Sequence, residues 1–454
     1  MKTIIDQQKR YFNSDQTKPV KFRIEQLTKL KQVIKDYEQE LTEAVFRDFQ
    51  KGKFNTYLTE FSGVYTELDH AIKNVAKWAK IKRRHTNMAN TPARSYQMPE
   101  PLGVCLVIGA WNYPINLALV PVIAAMAAGN TVVLKPSELT ANTSRVLAKM
   151  INNHFNPAYL TVVEGGIPET TALLEQSFDK IFFTGSVGVG KIVYQAAAKH
   201  LTPVTLELGG KSPAIIAPNA NLKITVRRLV WGKFVNAGQT CVAPDYVFVH
   251  KDIEKQFLQM MKAEIAEMQF SLKNENYAQI ISNRHLDRLI NMIDPAKVFV
   301  GGNYDRSERF LEPTILSDVC PEDRIMDDEI FGPILPVLRY ENIDQVIFYI
   351  KSKPKPLALY LFTESSQLRK KVLHEISFGG GGINDVLMHF ANDSLPFGGV
   401  GQSGMGNYHG QSGFDSFSHF KSILQKNTWF EPSLKYYPYL RWKSFLLKKI
   451  LAAS

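Results

Sequence analysis

An α/β fold built from two doubly wound, largely parallel sheets, with a separate arm for contacts between copies, is what this 454-residue sequence predicts. Three observations carry that prediction. From Val104 onward, short apolar runs alternate with stretches of helical period, and a second series of the same kind begins near Val204. Residues 82–101 show few core residues and little helical period. The length exceeds the roughly 250–300 residues that one hydrophobic core fills, so two or three domains are expected.

The elements follow in order. Leu27, Leu30, Ile34, Tyr37, Leu41 and Val45 recur at three- and four-residue spacing, which places them on one face of a long helix. Lys82-Arg83-Arg84-His85 leads into Asn90-Thr91-Pro92-Ala93-Arg94, read as an arm or hairpin leaving the first domain. Val104–Ile108 is a buried strand, Asn116–Ala128 an apolar helix closed by Gly129, Thr131–Leu134 a strand and Thr140–Ile151 a helix. Leu160–Val163 and Lys180–Phe183 continue the strands. In the second series, strands are expected at Ala214–Ile216, Tyr246–Val249 and Leu357–Phe362, with helices at Ile253–Met268 and Asp344–Lys351. No internal repeat or low-complexity tract interrupts the pattern.

Composition narrows the function. The net charge of +11 comes from dispersed basic residues that nowhere interleave with aromatics, so nucleic-acid binding is not expected; the surplus suits an anionic small molecule or lipid surface. Cys105, Cys241 and Cys320 are too few and too scattered for a disulfide framework or a metal site, which points to a reducing, cytoplasmic setting. The first ten residues lack an apolar core of the secretory kind, and no run approaches the ~18 apolar residues that span a bilayer.

Three segments carry candidate chemistry. The strand ending at Phe183 runs into Thr184-Gly185-Ser186-Val187-Gly188-Val189-Gly190-Lys191, followed by a helical stretch from Ile192 to Lys199. Glycines before a helix let a pyrophosphate approach the helix N-terminus, although the G-x-x-G-x-G spacing equally fits a plain tight turn. Glu207 sits inside the apolar run Val204-Thr205-Leu206-Glu207-Leu208. Burial raises a carboxyl pKa toward that of a useful general base; the other reading is a structural acid paired with a lysine such as Lys211. Cys241, in Asn236-Ala237-Gly238-Gln239-Thr240-Cys241, is flanked by small residues that suit an open nucleophile loop, against the ordinary role of a lone cysteine as a small inert hydrophobe.

The cysteine segment resembles the active-cysteine signature of aldehyde dehydrogenases, and Leu206-Glu207-Leu208-Gly209-Gly210-Lys211-Ser212-Pro213 resembles their glutamate signature. Trp111-Asn112-Tyr113-Pro114, Lys135-Pro136-Ser137-Glu138, Phe183-Thr184-Gly185-Ser186, Glu329-Ile330-Phe331-Gly332-Pro333 and Leu395-Pro396-Phe397-Gly398-Gly399-Val400-Gly401 match further family motifs in order, to about Phe420. The forms around Cys241 and Asn407-Tyr408-His409-Gly410 resemble the class 3 branch, which includes fatty aldehyde dehydrogenases.

That resemblance implies an aldehyde dehydrogenase-like fold of two Rossmann-type domains plus an oligomerisation arm. It implies NAD-dependent oxidation of an apolar aldehyde to its acid, with NADP use left open. Cys241 would be the nucleophile, Asn112 and the Cys241 N–H the oxyanion donors, and Glu207 the base for the hydrolytic water. Lys135 and Glu138 would meet the adenosine ribose, and Gly185, Ser186, Val187, Gly188, Val189 and Gly190 the pyrophosphate. Glu329 and Phe331 would meet the nicotinamide side, while Tyr113 and His409 would line the aldehyde tunnel; no metal is implied. The expected division is 1–205 for cofactor binding (with the 82–101 arm), 206–400 for catalysis, and 401–454 as a bridging segment and basic tail. A homodimer is implied, with 82–101 and Phe414–Phe420 as candidate contacts. A relative that passes the acyl group to CoA, and a catalytically silent binding protein, are the alternatives; Glu207 and Cys241 argue against each in turn. Finally, Leu440–Leu451 combines apolar bulk with four basic residues, as an amphipathic helix lying on anionic lipid would, or one packed on the protein body.

Overall fold

The computed structural model describes residues 1–452; the last two residues of the 401–454 segment lie outside the described residues. α1 (Lys2–Asn13) and α2 (Val20–Phe49) open the chain. The predicted stripe of α2 turns inward: Leu27, Leu30, Ile34, Leu41 and Val45 are fully buried, and half-buried Tyr37 sets its ring edge-on to His154. Each buried aliphatic contributes roughly 1.5–3 kcal/mol, which seats α2 against the first domain. α3 (Lys53–Thr56) runs into a five-residue π-helix, Tyr57–Phe61, and then α4 (Ser62–Trp78). The arm follows as an antiparallel hairpin of β1 (Lys82–Arg84) and β2 (Ala93–Pro101).

The first sheet is laid down by β3 (Val104–Ile108), α5 (Asn116–Ala128), β4 (Thr131–Lys135), α6 (Ala141–His154), β5 (Leu160–Val162), α7 (Ile167–Leu174), β6 (Lys180–Thr184), α8 (Val187–Ala198) and β7 (Val204–Glu207). Strand order is β7-β6-β3-β4-β5, all parallel. The chain therefore starts in the middle, winds out to β5, and returns to the other side of β3. Ligands of such sheets bind beyond the carboxyl ends of the strands, where the order reverses. Ile108, Lys135, Thr184 and Glu207 are those ends.

Two expectations are corrected here. The helix after the glycine-rich turn begins at Val187 rather than Ile192, because the Ser186 hydroxyl caps it by accepting the Val189 N–H at 3.4 Å. Gly188 and Gly190 thus belong to its first turn. Val204–Glu207 is the last parallel strand of the first sheet and not the opening of the second series, so the chain crosses between Glu207 and Pro213 instead of at 205/206.

The second sheet is built from β8 (Pro213–Ile216), α9 (Leu222–Phe234), β9 (Tyr246–His250), α10 (Glu254–Met268), α11 (Asn283–Ile290), β10 (Val298–Val300), the small hairpin β11 (Tyr304–Asp305) and β12 (Phe310–Leu311), β13 (Thr314–Leu316), β14 (Ile334–Tyr340), α12 (Ile343–Ser352), β15 (Ala358–Phe362), α13 (Ser366–Glu375) and β16 (Gly380–Ile383). Its order is β10-β13-β14-β9-β8-β15-β16, parallel except for β10, with β11 and β12 outside it. The glycine run of β16 carries no strand signal in the sequence. It pairs with β15 so closely that a Cβ at Gly381 would overlap the Leu359 carbonyl.

β17 (Gly404–Met405) returns to the first sheet, antiparallel to β7. After α14 (Gly410–Ser416), β18 (Ser418–Lys426) pairs along the whole of β2, from Ser418 opposite Pro101 to Lys426 opposite Ala93. The arm is thus a three-stranded sheet whose third strand comes from the far end of the chain. α15 (Arg441–Ala452) rests on the short turn Met88–Asn90 of the arm. No helix among the described residues is long and apolar enough to cross a membrane.

Candidate active site

Cys241 lies in the loop entering β9, after a turn in which Asn236 (φ 55°), Ala237 (φ 53°) and Gly238 (φ 71°) are all left-handed. Two successive non-glycine residues in that region store strain, which surrounding bonds must hold. They do so densely. Asn236 Nδ2 donates to the carbonyls of Asn112 (2.9 Å) and Gln239 (3.2 Å), and Gln239 Nε2 donates to Asn236 (3.1 Å) and Gln279 (3.0 Å). A Cβ at Gly238 would overlap the Gly332 carbonyl, so only glycine fits between the two loops. Backbone N–H groups of Cys241 and Val242 reach the sulfur. Burial pushes the thiol up to about 12, reinforced by the carboxylates of Glu329 and Glu207. The loop therefore does not lower the thiol pKa, and the resting sulfur is protonated.

Glu207 ends β7. Both of its carboxyl oxygens are buried without a hydrogen-bond partner, and burial raises its pKa well above the ordinary carboxylate value. Pairing with Lys211, the structural alternative, does not occur: Lys211 Nζ bonds Asp245 at 2.6 Å and the carbonyls of Ile325 (3.0 Å) and Asp328 (2.8 Å). A native chain rarely leaves a buried carboxyl unsatisfied unless a ligand, water or reaction uses it.

Asn112 follows β3. Its Nδ2 donates to the Gln239 carbonyl at 3.1 Å, which ties it to the cysteine loop and leaves its second N–H available. The Tyr113 hydroxyl lies 2.5 Å from the Thr240 hydroxyl, next to Cys241. Cys105 is buried within β3 and Cys320 is exposed on a loop, so the three thiols occupy three unrelated environments.

A second cluster gathers at the other strand ends. The helix start at Ser186–Gly190 presents its N-terminus, and a Cβ at Gly188 would project into open space, as a cradle for a bulky anion requires. Lys135, buried at the end of β4, pairs with half-exposed Glu138 at 2.9 Å. Glu329 is held against Gly209 and Gly210; burial and neighbouring Asp245 push it up to about 8, against the Gly210 N–H. Phe331 is left-handed (φ 49°), and its loop is pinned by Arg288, which donates to the carbonyls of Glu329 (3.2 Å) and Ile330 (2.6 Å). Trp111 stands edge-on to both Phe331 and His285, at 5.3 and 5.4 Å between ring centres. A Gly-lined helix start, an acid–lysine pair and an aromatic wall fit a dinucleotide. Among the described residues no three His, Cys, Asp or Glu side chains are grouped to hold a metal.

Beside Cys241, which lines it, opens a predominantly apolar cavity of about 210 Å³. Tyr113 and His409 both line it, His409 in a left-handed conformation (φ 77°) and pushed down to about 4 by burial, hence neutral. Most of the wall escaped the sequence reading, Leu58, Leu117, Val120, Trp231, Leu387 and Phe390 among it, while Tyr408 stood in a quoted motif without a role. Leu117 and Val120 belong to α5, which is buried all round, so its periodicity revealed no special face. Phe397 lay inside a quoted motif without a role.

With this geometry in view, comparison with known proteins is informative. The family model described as "Aldehyde dehydrogenase family" matches residues 1–423. The chain is 46% identical over 435 residues to the 4,4'-diaponeurosporen-aldehyde dehydrogenase of Staphylococcus aureus, covering 95% of each. It is 43% identical to the mouse "aldehyde dehydrogenase, dimeric NADP-preferring", covering 94% of each. Among solved structures, the substrate-bound state of Staphylococcus aureus AldH superposes with a TM-score of 0.97 at 44% identity, covering 99% of both chains.

Proposed function

This chain belongs to the aldehyde dehydrogenase family and oxidises aldehydes, and we propose that it turns an apolar aldehyde into the free acid through a covalent bond to Cys241, released by a water that Glu207 activates. The observation that carries this reading is the Glu207 carboxyl: buried, unpartnered at both oxygens, and close enough to Cys241 to raise its thiol. Transfer of the acyl group to CoA has no use for such a base.

The chain's own groups would act as follows. Cys241 loses its proton to the neighbouring Glu329 carboxylate, and the sulfur attacks the aldehyde carbonyl to form a thiohemiacetal. Its oxyanion accepts from the free Asn112 N–H and the Cys241 backbone N–H, each typically worth about 10²–10³ in rate. The bound dinucleotide supplies the hydride acceptor. The thioester left on Cys241 is then attacked by water as Glu207 takes a proton, a contribution of about 10²–10⁴. Released acid restores the thiol.

NAD or NADP is the proposed oxidant; a Glu138 carboxylate at the ribose end would favour NAD, and the NADP-preferring relative speaks for NADP. Residues 185–190 would hold the pyrophosphate and Glu329 with Phe331 the nicotinamide side. The apolar cavity, together with a relative named for an apocarotenoid-type aldehyde, supports a hydrocarbon-rich substrate. A homodimer through the arm is proposed on the same footing, a relative being named dimeric. On α15 Trp442, Phe445, Leu446 and Leu447 are exposed while Lys443 turns inward to the Tyr436 carbonyl (2.8 Å), which supports a lipid-facing tail. The test is product analysis with long-chain, aromatic and terpenoid aldehydes: free acid formed without CoA is expected, and an absolute CoA requirement would overturn the proposal.

A further inference from the structure

The oxyanion segment rests on an ion pair that the mechanism does not use. Lys51, just after α2, and Glu60, in the π-helix, are both almost entirely shielded from water, and their charged atoms lie 3.1 Å apart. Two buried charges are costly, and such a pair seldom adds stability over apolar residues of like volume. Its retention therefore calls for a use, and the contacts indicate one. Glu60 Oε2 accepts the N–H groups of Ile115 (3.1 Å) and Asn116 (2.9 Å), while the Asn116 side chain donates back to the Glu60 carbonyl (3.3 Å). These are the orphan donors at the start of α5; Pro114 has none, and the Leu117 N–H returns to the Tyr113 carbonyl at 2.9 Å. Lys51 Nζ, for its part, stands 4.3 Å from the centre of the Tyr113 ring.

The pair thus grips both ends of Tyr113-Pro114-Ile115-Asn116, directly after Asn112. π-bulges inside helices are frequent at functional sites. Here the π-helix carries Glu60, and Leu58, Thr59 and Ser62 beside it wall the cavity. We propose that the buried Lys51–Glu60 pair is a positioning device that clamps the start of α5 so that the Asn112 amide meets the substrate oxygen. The inference rests on the oxyanion role of Asn112 proposed above.

The test is a double-mutant cycle on the full chain. Glu60→Gln turns an amide NH2, which cannot accept, either toward Lys51 or toward the two N–H groups, and so breaks either the pair or its hold on α5. It should lower kcat about 10–100-fold, the scale of a misplacement on the order of 1 Å, with the aldehyde KM, the cofactor Kd and the alkylation rate of Cys241 within about twofold of wild type. Asn112→Ala alone should cost about 10²–10³, and adding Glu60→Gln to it should cost less than about twofold more, because the clamp acts through Asn112. If Glu60→Gln does not fold with Lys51 uncompensated, Lys51→Met/Glu60→Met carries no stranded charge, still removes the acceptor of the two N–H groups, and replaces it in the cycle. An unchanged kcat in the Glu60 variant, or a full further loss on the Asn112→Ala background, would overturn the inference while leaving the oxyanion reading intact. A normal kcat in Asn112→Ala alone would remove that reading, and this inference with it.

Discussion

Replacing Glu207 by Gln keeps the shape of the side chain and removes its basicity. In the wild-type fold both carboxyl oxygens are buried and unpartnered, so no neighbouring group stands ready to substitute. Loss of the base should slow steady-state turnover by about 10²–10⁴. Acylation needs no water, so the first turnover should survive as a rapid burst of reduced cofactor of about one equivalent per site. The trapped thioester should appear as an acyl adduct on Cys241 by mass spectrometry of the quenched protein. Stability supplies a second readout. Burial raises the folded-state pKa of Glu207 above its unfolded value. The folded state therefore binds more protons, and stability falls as pH rises from the ordinary carboxylate value up to the folded pKa. Within that window wild type loses up to about 1.4 kcal/mol per pH unit on this account, and Glu207→Gln is exempt. Its thermal midpoint should gain on wild type as pH rises. Steady turnover within about threefold of wild type, or loss of the burst, would refute the assignment of Glu207 to deacylation.

Other consequences are open to measurement. With the Cys241 thiol pushed up to about 12, iodoacetamide alkylation of the cofactor-free enzyme should climb about tenfold per pH unit between pH 7 and 10; a plateau near neutrality would contradict a desolvated, protonated sulfur. Glu138→Gln removes the carboxylate proposed above to meet the ribose and should move the NADP-to-NAD ratio of kcat/KM upward by about 10-fold, with an unchanged ratio placing cofactor choice elsewhere. Flotation with phosphatidylserine vesicles should recover the full chain and lose a version cut before Leu440, most sharply at low salt; equal recovery would remove lipid docking.

How much of this was legible in the sequence depends on what kind of signal each part left. Cys241, Glu207 and Asn112 stand in contiguous strings of distinctive residue types, some of them, such as Gly238 against Gly332 and Gly209 against Glu329, fixed by what packs on them. The parallel strands β3, β4, β6 and β15 are buried on both faces and read as unbroken apolar runs. What escaped is what tertiary proximity creates. β18 joins β2 across more than three hundred residues, and no local pattern announces that partner. β16 is a strand because a neighbouring backbone leaves room only for glycine, so its sequence looks like a loop. Lys51 and Glu60 stand in no motif of the sequence; their role comes from the fold, which sets the Glu60 carboxyl against the start of α5. The helix start at Val187 was missed because glycines, poor helix formers in general, are tolerated in a first turn capped by Ser186.

The central claim is that catalysis proceeds through the sulfur of Cys241, and Cys241→Ser tests it most directly. The account predicts a folded protein that binds cofactor with wild-type affinity and shows no burst and no steady oxidation of any aldehyde above background. Turnover by Cys241→Ser at a rate comparable to wild type would contradict it.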